Sequence, residues 1–282
     1  MPEVRSKGAS IHYEEMGREE PALLLVPGWC CSRAVFGSLS TRLSPRHRVL
    51  SMDLRGHGQS DAGSRDFTSD TLVEDLLAVV EASAARQVVP VALSHAGWFA
   101  IELRRRLGQR VPGLVLLDWI VLEPPPPFLA ALTGLQSESW RQSRDALFGM
   151  WLQGVDSEDI FRFVREDMGS FSGEMWQRAA REIASGYNRD GYPLRALSAL
   201  TPPVPTLHVY AQPEDPAYLM AQQSFAAEHP WFHVARLNAR SHFPALEVPA
   251  EVAEHIERFL ALIDRSASRD TQGPSAPTEA GA

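Results

Sequence analysis

The chain has 282 residues, 44% of them hydrophobic and 22% charged, which is enough for one large folded core. Its formal net charge of −8 argues against nucleic acid as a partner, and no apolar run approaches the roughly 20 residues that cross a membrane. Because the first residues carry no apolar signal core, we expect a cytoplasmic protein, which we predict to be a monomer or a weak homo-oligomer.

Short apolar runs recur along the chain, and most of them end in turns rich in glycine, proline or polar residues. Runs of this kind are typical of strands that are buried on both faces. They predict an α/β protein with a mostly parallel central sheet and helices on both faces. The predicted strands are Ala22–Val26, Arg48–Met52, Val88–Val91, Gly113–Leu117, Pro205–Tyr210 and Val234–Leu237.

The stretch Val91–Trp98 has the form of a strand end, a tight turn and the start of a helix, with Ser94 in the turn. Two small residues, Ala92 and Ala96, flank this serine at the second position on either side. Larger side chains there would collide with the backbone of a strained turn. The pattern indicates a nucleophile elbow, followed by a helix over Trp98–Leu107.

Prolines and aromatic residues mark an insertion between the fourth and fifth predicted strands. They divide the chain into a first core part (1–122), a helical cap (123–203), a second core part (204–265) and a tail (266–282) that we expect to be disordered. In α/β sheets such a cap covers the carboxyl ends of the strands, where ligands bind. A cap rich in aromatic side chains suits a flat apolar ligand.

Among the nine histidines, His242 is the best candidate for a general base, because it follows the last predicted strand. Two places offer an acid: Glu214 or Asp215 after the cap, and Asp118 before it. Asp215 suits a solvated or capping role, whereas a carboxylate after four apolar residues, as at Asp118, requires a partner. We therefore predict that Asp118 orients His242. The order Ser94, Asp118, His242 is that of the α/β-hydrolase fold.

Two backbone amides, those of Trp29 and His95, are expected to stabilise a developing oxyanion. The chain contains neither the G-x-G-x-x-G dinucleotide pattern nor the G-x-x-x-x-G-K-[ST] phosphate loop, so no cofactor is predicted. His229 and His233 have the spacing of a metal-binding pair, but no third ligand is evident, and no metal is predicted.

Six motifs together resemble the cofactor-independent, ring-cleaving 2,4-dioxygenases of 3-hydroxy-4(1H)-quinolones, over the span from Ala22 to Phe259. Asp118-Trp119 and His229–Phe232 are the most specific parts, because ordinary esterases do not usually carry them. The six motifs are Pro27–Cys30, Ser94–Trp98, Leu117–Trp119, Met150–Gly154, Glu228–Phe232 and Ser241–Ala245.

The resemblance implies roles for five residues. His242 is then the base and Asp118 its partner, and the amides of Trp29 and His95 form the oxyanion hole. Ser94 then hydrogen-bonds the substrate and need not form a covalent intermediate.

The resemblance also implies a substrate pocket beside Trp151, which matches a cap tryptophan of the family. A family member that acts on the 2-methyl compound has histidines at the positions of Cys31 and Leu93, and glycine at that of Ala96. The less polar residues here favour a longer alkyl chain. They point to the branch that degrades 2-alkyl-3-hydroxy-4(1H)-quinolone signals, such as the 2-heptyl compound, and so to quorum quenching.

The implied reaction joins a small aromatic heterocycle with dioxygen. His242 takes the proton of the 3-hydroxyl group, the anion reduces dioxygen, and the ring opens with release of carbon monoxide and an N-acylanthranilate. The residues alone leave two alternatives open. One is a serine hydrolase that uses Ser94, His242 and Asp118 on an ester, amide or lactone, and the other is a ligand receptor without enzymatic activity.

Overall fold

The structure, a computed structural model, describes residues 2–63 and 66–271. In these ranges eight strands form one sheet, and its central strands are buried and mostly apolar. The strands are β1 (Glu3–Ser6), β2 (Ala9–Met16), β3 (Ala22–Val26), β4 (Val49–Met52), β5 (Val88–Leu93), β6 (Leu114–Leu117), β7 (Thr206–Tyr210) and β8 (Phe232–Arg236).

The strand order is β1-β2-β4-β3-β5-β6-β7-β8, and every pair from β4 to β8 is parallel. β1 and β2, which are not among the predicted strands, add an antiparallel edge. Every residue of β3 to β7 is buried, as helices on both faces require. The mostly parallel sheet is confirmed, although β8 begins two residues before its predicted start, at Phe232.

Helices follow most strands. They are α1 (Gly37–Leu43), α2 (Ser69–Ala82), α3 (Gly97–Leu107), α4 (Pro126–Leu135), α5 (Trp140–Trp151), α6 (Glu158–Arg162), α7 (Gly173–Asp190), α8 (Pro193–Ser198), α9 (Pro216–Glu228), α10 (Pro244–Glu247) and α11 (Pro249–Thr271). The connection from β3 to β4 crosses the sheet in the opposite direction to those from β4 to β5 and from β5 to β6. Right-handed crossovers therefore place α1 on one face and α2 and α3 on the other.

The helix α11 includes the first six residues of the segment that we expected to be disordered, because it continues to Thr271. The rest of that segment, 272–282, lies outside the described residues.

Helices α4 to α8 lie between β6 and β7, within the segment 123–203 that was predicted as a cap. α4 packs against α5 and α7, while α8 contacts α3 of the core. The N–H of Leu194 donates to the carbonyl oxygen of Val121 at 3.0 Å, so the chain leaves and re-enters the core at neighbouring points. This contact supports the proposed division into a core and a cap.

The carboxyl ends of the parallel strands share one edge of the sheet. The segments that follow β3, β5, β6 and β8 there carry Trp29, Ser94, Asp118 and His242. β3 lies where the direction of the connections reverses, and ligand sites of open α/β sheets form at such points. The fold thus brings four of the predicted site residues to one edge.

Candidate active site

Three turns at this edge each contain a residue in the left-handed backbone region. The φ angles are +57° at Cys30, +54° at Ser94 and +46° at Asp118. For residues with a side chain this conformation costs about 1–3 kcal/mol each and persists only where the surroundings enforce it. Such strain is typical of functional sites, and here it coincides with the predicted elbow serine and the predicted acid.

Two glycines permit the close packing of these turns. A Cβ atom at Gly28 would lie 3.3 Å from the carbonyl oxygen of Leu93 and 3.6 Å from Cβ of Ser94. A Cβ atom at Gly97 would lie 2.2 Å from the ring of Trp119. The elbow helix and the Asp118-Trp119 turn therefore fit together only because position 97 has no side chain.

His242 and Asp118 form a hydrogen-bonded pair. Nδ1 of His242 lies 2.8 Å from Oδ1 of Asp118, whose side chain is 2% exposed. Oδ2 of the same carboxylate accepts the backbone N–H groups of Ala211 and Gln212 at 2.7 and 3.1 Å. A carboxylate only accepts, so Nδ1 of His242 is the donor and Nε2 of the neutral ring is left to accept a proton.

The other candidate acids lie elsewhere. Oδ1 of Asp215 accepts the N–H of Ala217 at 2.8 Å and caps α9, and Glu214 is exposed. Asp118 is the candidate acid that contacts His242. Ser94 is half-buried, and its hydroxyl has no hydrogen-bond partner within residues 2–63 and 66–271.

The loop after β3 is held in place by His57. The N–H of Cys30 donates to Nε2 of His57 at 2.9 Å, and Nδ1 of His57 donates to the carbonyl oxygen of Arg55 at 2.8 Å. Burial lowers the pKa of His57 to about 4, so the ring stays neutral, as both bonds require. The predicted oxyanion donors, the amides of Trp29 and His95, have no acceptor among the described residues.

The cap contacts both the loop after β3 and the candidate base. Asp167, in the π-helical turn Phe163–Asp167, accepts the N–H of Ser32 at 3.3 Å and its hydroxyl at 3.1 Å. Burial raises the pKa of the Asp167 carboxyl. Trp151, at the end of α5, stacks on the His242 ring with centroids 4.9 Å apart and planes 14° apart. The predicted cap tryptophan thus lies against the predicted base.

Aromatic rings surround the side chain of His95. Phe128 stacks on its ring at a centroid distance of 5.3 Å and an angle of 19°, and Tyr187 approaches edge-on at 5.8 Å. The indole N–H of Trp119 donates to Nδ1 of His95 at 3.0 Å. Phe128 and Tyr187 belong to the predicted cap and reach His95 only when the cap docks on the core, so no local sequence pattern assigns them to the site.

Cys31 and Leu93, the predicted pocket residues, are 2% and 0% exposed. Burial raises the pKa of the Cys31 thiol well above its usual range, and the nearby Asp167 carboxylate adds to this effect. Cys31 is therefore a neutral thiol of low polarity. Contact of either residue with a ligand stays a prediction.

The histidines of the possible metal pair have packing roles. His229 stacks on Phe225 at 3.9 Å, and His233 packs edge-on against Phe259. Among the described residues, no group of three or more His, Cys, Asp or Glu side chains has a metal-binding arrangement.

No helix in the described part of the chain combines the length and the apolar character that crossing a membrane requires.

The sheet order and the site at its carboxyl edge define the class of the protein. Residues 23–255 match the profile of the alpha/beta hydrolase family, which confirms the predicted α/β-hydrolase fold. The chain is 36% identical over 263 residues to 1H-3-hydroxy-4-oxoquinoline 2,4-dioxygenase of Pseudomonas putida, covering 92% of this chain and 99% of that protein.

Two further comparisons agree. A 2-heptyl-3-hydroxy-4(1H)-quinolone dioxygenase of Mycobacteroides abscessus is 35% identical over 90% of this chain and 96% of its own length. A structure of an AqdC variant in complex with its substrate, which concerns recognition and ring cleavage of the Pseudomonas quinolone signal, superposes on this chain with a TM-score of 0.88. The two chains are 34% identical, and the match covers 92% of this chain and 98% of that one. The chain belongs to the family of 3-hydroxy-4(1H)-quinolone 2,4-dioxygenases.

Proposed function

We propose that this protein uses dioxygen to open the heterocyclic ring of a 2-alkyl-3-hydroxy-4(1H)-quinolone, such as the 2-heptyl compound. The observation that carries the proposal is the His242–Asp118 pair, which lies against Trp151 in a chain whose relatives are named for this reaction. The products are carbon monoxide and an N-acylanthranilate. We also propose that the protein acts in the cytoplasm, as a monomer or a weak homo-oligomer.

The first step is proton transfer. Nε2 of His242 takes the proton of the 3-hydroxyl group, and Asp118 stabilises the imidazolium that forms. The substrate anion then carries the electrons that dioxygen requires. Because the anion itself is the reductant, the proposed reaction needs neither a metal nor an organic cofactor.

The second step forms and breaks the ring bonds. C2 of the anion bonds to dioxygen, which is reduced to a peroxide, and the distal oxygen of the peroxide attacks C4. The amides of Trp29 and His95 stabilise the oxyanion that develops on C4. The O–O, C2–C3 and C3–C4 bonds then break, and C3 leaves with its oxygen as carbon monoxide. One dioxygen atom remains in the acyl group and the other in the carboxylate.

The direct test measures oxygen uptake and carbon monoxide when the purified protein receives 2-heptyl-3-hydroxy-4(1H)-quinolone in air. The matched control is 2-heptyl-4(1H)-quinolone, which lacks the hydroxyl group that His242 deprotonates and should not be consumed.

The intact elbow at Ser94 favours one alternative function, that of a serine hydrolase. Acid release from simple esters and labelling of Ser94 by a fluorophosphonate, without oxygen uptake, would establish that function instead.

Replacing Ser94 by alanine is expected to leave measurable ring cleavage. In the proposed reaction this serine contributes one hydrogen bond to the substrate, worth about 1–2 kcal/mol, or roughly a 5- to 30-fold change in kcat/KM. A covalent hydrolase would lose essentially all acyl transfer with the same change. Complete loss of ring cleavage in a folded Ser94→Ala protein, or an acyl-enzyme seen by mass spectrometry, would refute the non-covalent role.

The alkyl chain is expected to raise kcat/KM from the 2-methyl to the 2-pentyl and 2-heptyl substrates. Each methylene that becomes buried adds up to about 0.8 kcal/mol, so two of them give roughly tenfold discrimination. Cys31→Ser, an isosteric and more polar change, should reduce the heptyl-to-methyl ratio, and Cys30→Ser is the matched control beside it. An equal or higher kcat/KM for the 2-methyl compound would contradict the long-chain assignment.

A further inference from the structure

We propose that the side chain of His95 is a catalytic residue that donates a hydrogen bond from Nε2–H to an oxygen of the bound heterocycle. This role is separate from that of the His95 backbone amide. It rests on the proposed function, because it assigns a second donor to the same ligand.

The tautomer of His95 follows from its neighbour. An indole N–H can only donate, so the 3.0 Å bond from Trp119 requires Nδ1 of His95 to be an acceptor. The proton of a neutral ring then lies on Nε2. Burial lowers the pKa of His95 to about 3, and the nearby His242 adds to this effect, so the ring is neutral at physiological pH.

The contacts around the His95 ring leave its Nε2 atom without a protein partner among the described residues. Trp119 occupies Nδ1, Phe128 covers one ring face and Tyr187 touches an edge. Nε2 has no hydrogen-bond partner in residues 2–63 and 66–271, and protein atoms do not enclose it completely. The His95 side chain therefore keeps an unpaired donor in a residue that is 9% exposed.

His95 and His242 present opposite hydrogen-bonding groups. Asp118 accepts a hydrogen bond from Nδ1–H of His242, which leaves Nε2 of that ring as an acceptor. Trp119 donates to Nδ1 of His95, which leaves Nε2 of that ring as a donor. A ring that carries a hydroxyl group next to a carbonyl group offers the complementary pair. As the hydroxyl loses its proton, negative charge spreads over both oxygens, and a bond from a neutral donor to that charge becomes stronger.

The first test measures the ionisation of bound 2-heptyl-3-hydroxy-4(1H)-quinolone under argon, from its absorbance as a function of pH. His95→Asn can still accept from Trp119 but has no group at the Nε2 position. It should raise the pKa of the bound substrate by about one to two units and lower kcat/KM roughly 10- to 100-fold. His95→Gln, which returns an amide N–H toward that position, should recover part of both losses. His233→Asn is the matched control.

The second test needs no variant. In wild-type protein with ¹⁵N-labelled histidine, the His95 Nε2–H resonance should shift downfield when the same quinolone binds under argon. An unchanged resonance, or His95→Asn with wild-type substrate ionisation and kcat/KM, would overturn the inference while ring cleavage by the wild type still stands. Failure of the wild type to consume the quinolone would instead refute the proposed function.

Discussion

Replacing His242 by alanine is expected to lower kcat for ring cleavage by about 10²–10⁴-fold, the usual contribution of a positioned general base. The reason lies in the pair itself. Asp118 accepts a hydrogen bond from Nδ1–H of His242, so Nε2 is the atom that accepts the substrate proton. Stacking on Trp151 fixes the orientation of the imidazole ring. Substrate affinity, measured under argon, should change much less, because the aromatic side chains of Trp151 and Phe128 remain.

The control for this variant is His229→Ala, which removes an imidazole that stacks on Phe225 away from the sheet edge. It should keep wild-type turnover. Added imidazole should restore part of the His242→Ala activity by entering the space between Trp151 and Asp118. A wild-type rate for His242→Ala at neutral pH would remove this residue from the mechanism.

The Asp118→Asn protein is expected to be nearly as inactive, with kcat lower by about 10³–10⁴-fold. The amide oxygen of asparagine must face the N–H groups of Ala211 and Gln212, which Oδ2 now accepts at 2.7 and 3.1 Å. Its NH₂ group then faces His242 and requires Nδ1 to accept. The proton moves to Nε2, and the ring can no longer take one from the substrate.

Asp215→Asn is the matched control, because it makes the same chemical change at the other candidate acid and retains a side chain that can cap α9. It should keep wild-type kcat. The assignment would be wrong if Asp215→Asn lost activity and Asp118→Asn retained it. The melting temperature of each variant separates a loss of folding from a loss of proton transfer.

The strands that the sequence predicts well are those with both faces buried. A continuous apolar run such as Ala22–Val26 predicts a strand in the middle of the sheet, because side chains on both faces of such a strand must pack against helices. β2 contains Glu14 and Glu15 near the solvent side of the sheet, and β1 is four residues long. Neither strand contains a continuous apolar run that would distinguish its sequence from that of a loop. The edge strand β8 is only partly buried, which explains the error in its start.

The same distinction applies to the site. Ser94, Asp118 and His242 could be predicted because each follows a strand, and the carboxyl ends of parallel strands meet. The partners that complete the site come from docking of the cap. Asp167 meets Ser32 across 135 residues of chain, and Phe128 reaches His95 from α4. No local pattern encodes such contacts, since they depend on how two packed units fit together.

The hydrogen bond between Leu194 and Val121 has a consequence for how such proteins diversify. A segment whose two ends are already in contact can lengthen, shorten or be exchanged at little entropic cost. Each doubling of the length of a flexible loop adds only about 0.6 kcal/mol to the free energy of closing it. The His242–Asp118 pair lies outside this segment, after β8 and after β6, whereas Trp151 and Phe128 lie inside it. We therefore expect that the segment 122–193, which holds most of the proposed cap, can be exchanged while the His242–Asp118 pair keeps its place at the edge of the sheet.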